Sequence, residues 1–117
     1  MENKNDQGIV ISEDVISKMV ATAALEIDGI ADMVSKPANI KGIFKDKSAK
    51  SVHVKFNDNA LYIDAFVKMK MGVDIVSVCE EAQKNIKESV QNMTGKAVSK
   101  ISIHVVDIEI NEKNTSK

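Results

Sequence analysis

The chain has no arginine and no tryptophan, one proline, one cysteine and 3% aromatic residues. Each shortage excludes something. A single thiol forbids an intrachain disulfide and points to a reducing compartment. Without arginine, all 16 basic residues are lysine, and the planar fork that reads phosphates and base edges in pairs is missing. With a formal net charge of −1, the molecule has no strong field to draw in nucleic acid. Glycine is scarce too, at five, and no GxxxxGK[ST] or GxGxxG phosphate-cradling loop occurs. No apolar run approaches a membrane span, and the start, MENKNDQ, lacks the apolar centre of a signal peptide. The expectation is a cytoplasmic protein with no direct membrane insertion.

What is present is a strand–helix–strand unit from Ala60 to Ile110. Asp74 can cap a helix whose apolar stripe is Ile75, Cys79, Ala82, Ile86, Val90 and Met93, spaced by threes and fours. Gly95 stands where a left-handed cap closes it. A crossover of this length favours parallel flanking strands. Before it, Val52–Phe56 and Leu61–Met69 alternate apolar with polar and read as a hairpin turning at Asp58-Asn59. That turn sets Phe56 opposite Leu61, Val54 opposite Ile63 and Val52 opposite Ala65 on one face. On the other face His53 opposes Asp64 and Lys55 opposes Tyr62. An earlier helix starts after Ser12, with stripe Val15, Ile16, Met19, Val20, Ala23, Ala24 and Ile27, and ends at Asp28-Gly29. Gly8–Ile11 reads as a brief strand. The last strand, Val98–Ile110, changes phase at Val105–Val106, which calls for a bulge or for burial on both faces.

The predicted fold class is α+β: a small two-layer domain in the order β(short)-α-β-β-α-β, with a mixed sheet and two helices on one face. Residues 1–7 are expected to be a disordered tail, 8–110 one domain, and 111–117 a polar end. Within the domain, residues 28–50 read as a connection without regular structure. They include a lysine-rich loop, 31–50, in which Ile40, Ile43 and Phe44 can form one amphipathic turn. That loop could touch anionic headgroups, although a solvated loop is the simpler reading.

Chemistry is sparse. Cys79 lies on an apolar stripe with no basic neighbour and reads as packing. The two histidines, His53 and His104, are far apart in sequence, without the convergent ligands a metal needs. No Ser/His/Asp signature surrounds a strained nucleophile turn. No catalytic residue, metal ligand or cofactor is therefore expected, and the chain reads as non-enzymatic. The remaining candidate is the uncovered sheet face, with His53, Lys55, Tyr62, Phe66, Lys68 and Lys70 as an interaction surface. The element order is shared with RNA-recognition modules, so those residues could instead hold single-stranded RNA. The few aromatics and the missing signature motif argue against nucleic acid as partner.

Several stretches resemble the alkaline-shock, or envelope stress response, family of small cytoplasmic proteins from Gram-positive bacteria. They are GIVISEDVISKMVATAALEIDGIADM, LYIDAFVKMKMGVDI and EEAQKNIKESVQNMTGKAVSKISIHVVDIEI. The matching features are Ile11–Ile16, Glu26–Ile30, Met71-Gly72, Gln83, Met93–Gly95 and Ile101–Val106. Met71 departs from the pattern, where an aromatic is common. The resemblance implies a non-enzymatic stress-response protein that self-associates into a homo-oligomer. It also implies docking to a small membrane-anchored protein, at the inner side of the membrane.

Overall fold

A computed structural model describes residues 11–35, 50–57 and 59–110. The elements run α1 (Glu13–Leu25), β1 (Ile30–Met33), β2 (Val52–Asn57), β3 (Ala60–Lys70), α2 (Ile75–Thr94) and β4 (Ala97–Glu109). The fold is α+β, a mixed sheet with both helices packed on one side. The expected strand at Gly8–Val10, the turn at Ile40, Ile43 and Phe44, and both tails lie outside the described residues.

Each helix begins as its sequence dictates. Ser12 Oγ accepts from the Val15 N–H at 3.2 Å, and Asp74 accepts from the Ser77 N–H at 3.5 Å and from the Ser77 hydroxyl at 3.0 Å. Side-chain caps of this kind satisfy donors the first turn leaves open. Gly95 closes α2 at φ 74°, its N–H donating to Gln91 O, a conformation that favours glycine.

β3 is the central strand. The hairpin register is as the turn requires: Phe56 faces Leu61, Val54 faces Ile63, Val52 faces Ala65, His53 faces Asp64 and Lys55 faces Tyr62. β2 is shorter than β3 and leaves the far end of that edge unused. β1 fills it, with Met33 opposite Val67 and Ile30 opposite Met69. This corrects the expectation of an irregular connection over 28–50: a short strand occupies its beginning. β4 runs parallel to β3 on the other edge, and its ladder skips Ser99 and Val106. The bulge at Val106 accounts for the phase change in the sequence and returns Ile108 to the face of Ile101, Ile103 and Val105.

The core lies between layers. Leu61, Ile63, Ala65, Val67 and Met69 from β3 meet Ile16, Val20, Ala23 and Ala24 from α1 and Val78, Ala82, Ile86 and Val90 from α2. The α2 stripe is rotated from its predicted phase. Val78 is buried, whereas Ile75 and Met93 are exposed, Met93 at 67%. Gly29 sets this rotation: a Cβ there would fall 2.4 Å from Val78 Cγ2, so only glycine lets α2 press Val78 against the turn after α1. Val15 likewise leaves the predicted α1 stripe and is exposed. Asn85 holds the helices together, its amide donating to Ala23 O and Glu26 Oε1, both at 2.8 Å.

Candidate functional site

The sheet face away from the helices carries the predicted surface residues. Alternation along β3 puts Tyr62, Asp64, Phe66, Lys68 and Lys70 on it, and the β2 register adds His53 and Lys55. Phe66 is not available there. It is 0% exposed, stacked on His104 at 4.5 Å and 13° and meeting the edge of His53 at 5.9 Å and 80°. Its burial corrects the expectation of an outward aromatic pair and removes one of the two rings that would stack bases.

The charges are also organised otherwise than the strand order suggests. Asp64 faces His53 in the hairpin register, but it is His104 Nε2 on β4 that donates to Asp64 Oδ1, at 2.8 Å. Lys68 stands between Asp32 on β1 and Asp107 on β4, and Lys70 has Glu109 beside it. The lysines of this face therefore alternate with acids across the strands and form no uniform basic strip. Phase along one strand could not reveal this, because the β3–β4 register depends on where α2 sets β4 down.

The main chain of Phe66 is a junction as well. Its N–H donates to Ser51 O and its C=O accepts from the Val34 N–H, both at 2.9 Å. Both ends of the connection between β1 and β2 are thereby fastened to one residue of the central strand.

Cys79 is half-buried on α2, and burial pushes its thiol above the ordinary value of 9.0. A thiol held in its protonated form is a poor nucleophile. Among the described residues no group of three or more His, Cys, Asp or Glu side chains could hold a metal ion. Three open surface grooves occur: between α1 and α2, between α2 and the start of β4, and between α1 and β2. None is lined by Cys79, His53 or His104. No described helix is long and apolar enough to cross a membrane.

Apolar exposure is the more distinctive surface feature. Met71, Ile75 and Val76 cluster in sequence where the chain turns into α2, with Met71 56% and Val76 65% exposed. Along β4, Ile101, Ile103, Val105 and Ile108 pack only partly against the core.

These features define a small two-layer interaction-type domain whose described surface offers apolar patches and no assembled reaction centre. The chain belongs to the alkaline shock protein family, described as having a cell envelope-related function, and the family match spans residues 1–110. It is 32% identical over 107 residues to the uncharacterized protein YqhY of Bacillus subtilis strain 168, covering 90% of this chain and 79% of that one. It is 31% identical over 116 residues to the uncharacterized protein Spy1614 of Streptococcus pyogenes serotype M6, covering 96% of each. Among solved structures, the fold is similar to variants of the MamM C-terminal domain. One has a TM-score of 0.59 at 9% identity, covering 86% of this chain and 88% of that one. Another has 0.58 at 8%, covering 83% and 95%.

Proposed function

We propose that this protein is a non-catalytic interaction protein of the response to envelope or alkaline stress. It works by self-association and by docking to a membrane-linked partner on the inner side of the envelope. The family's envelope-related description sets the setting. The observation that carries the reading is the exposed apolar cluster of Met71, Ile75 and Val76 at the turn into α2. Exposed clusters of large apolar side chains mark contact surfaces, and here they adjoin no cleft that would serve a substrate.

The test combines light scattering after size exclusion, over a range of concentrations, with retention on envelope fractions. Assemblies larger than one chain are expected, with envelope retention lost in the Met71→Ser/Val76→Ser variant. A strict monomer that envelope fractions do not retain would overturn the reading.

A further inference from the structure

β4 runs for thirteen residues and pairs with β3 on one edge. Among the described residues no strand pairs with its other edge. The caps along that edge show which groups remain. The Val98 N–H donates to Gln91 Oε1 at 3.0 Å, and Ile101 O accepts from Gln83 Nε2 at 2.9 Å. Further on, the Ile108 N–H donates to Asp107 Oδ1 at 2.8 Å.

Val98, Ile101 and Ile108 lie opposite Leu61, Ile63 and Met69, alternate positions of β3. Successive residues of a strand direct their N–H and C=O to opposite edges. Ile103 and Val105, opposite Ala65 and Val67, therefore also direct theirs outward, and these have no cap among the described residues. An open ladder segment is a template for another strand.

We propose that a second copy of this chain pairs here, antiparallel, about a two-fold axis through His104. This rests on the self-association reading above and names its surface. With both bulges counted, that axis sets Ile103 of one copy opposite Val105 of the other, and the reverse. All the uncapped groups are then used, and the capped ones stay outside the pairing. His104 meets its own copy at the axis. The charges of the strand agree. Lys100 lies toward its start and Asp107 and Glu109 at its end, so an antiparallel pair sets Lys100 opposite Glu109 twice. A parallel pair would set like charges together. The half-buried row of Ile101, Ile103, Val105 and Ile108 becomes continuous across the axis, where α2 alone covers it incompletely.

The test uses the full chain with Cys79→Ser as background. His104→Cys places two thiols at the axis, where Cα atoms of a non-hydrogen-bonded antiparallel pair stand about 4.5 Å apart, within disulfide reach. Mild oxidation is expected to give a covalent dimer. Lys100→Glu is expected to raise the dimer dissociation constant by about tenfold, and Lys100→Glu/Glu109→Lys to restore it. The rescue does not depend on His104 being tolerant of change. A wild-type chain that self-associates, but gives neither cross-link nor charge rescue, would overturn this edge and leave self-association standing. A monomer whose Ile103 and Val105 amides resist hydrogen exchange would also overturn the proposal, because a segment of the same chain would then cover the edge.

Discussion

Asp64 reaches past its hairpin neighbour and accepts a hydrogen bond from His104, on the opposite flank of β3, at 2.8 Å. The bond fixes the imidazole so that its ring lies nearly parallel to Phe66. One contact between parallel strands thus helps bury the aromatic ring of the face without helices.

Replacing His104 with alanine removes both the bond and the stack. The expected loss is about 1–2 kcal/mol of folding stability. Asp64→Asn should cost less, about 0.5 kcal/mol, because the amide oxygen still accepts and the pair is partly exposed to solvent. Urea denaturation of the three proteins measures both, and equal losses would show that the acceptor's charge, and not the ring, matters.

Gly29→Ala should destabilise by about 1–3 kcal/mol, since the new methyl meets Val78 inside van der Waals contact. Val78→Ala opens the space it needs. The double variant is expected to lose less than the sum of the singles, and the coupling from a thermodynamic cycle reads this directly. Strict additivity would mean that α2 moves away instead.

Asn85→Ala removes the amide that bridges Ala23 O and Glu26 Oε1. Leaving a helix-end carbonyl without its donor costs about 1–2 kcal/mol. Hydrogen exchange should speed up most at the C-terminal end of α1, while the hairpin amides stay as slow as before.

Burial raises the Cys79 thiol, so folding binds its proton more tightly than the unfolded chain does. This contribution to stability is fully present below the unfolded thiol's ordinary value. It falls as pH rises through that value toward the folded one. Cys79→Ser should therefore flatten the alkaline limb of stability against pH. Iodoacetamide should modify the native thiol slowly and the unfolded one rapidly; fast native alkylation would contradict the packing role.

Much of the frame is readable from the residues alone. The Asp58-Asn59 turn settles all the hairpin pairs, because a two-residue connection leaves one register that keeps the apolar face together. The stutter at Val105–Val106 announces the bulge. β1 is not readable: Ile30–Met33 is too short for a period, and its strand character comes from the end of β3 that β2 does not reach. The length of β3 against β2 is the available signal. The phase of α2 depends on Gly29, whose missing side chain matters only once Val78 lies against it. Phe66 alternates as a surface residue should, yet His104 and His53 flank it, and only the three-dimensional register of β4 brings His104 there.

The two hydrogen bonds of the Phe66 main chain carry a practical consequence. Because Val34 and Ser51 are pinned to the same residue, the distance between them does not depend on how many residues lie between. Lengthening that connection should add little closure entropy, about 0.6 kcal/mol per doubling. It is the natural place to splice in a reporter peptide or an epitope while leaving the sheet and its outer strand as they are.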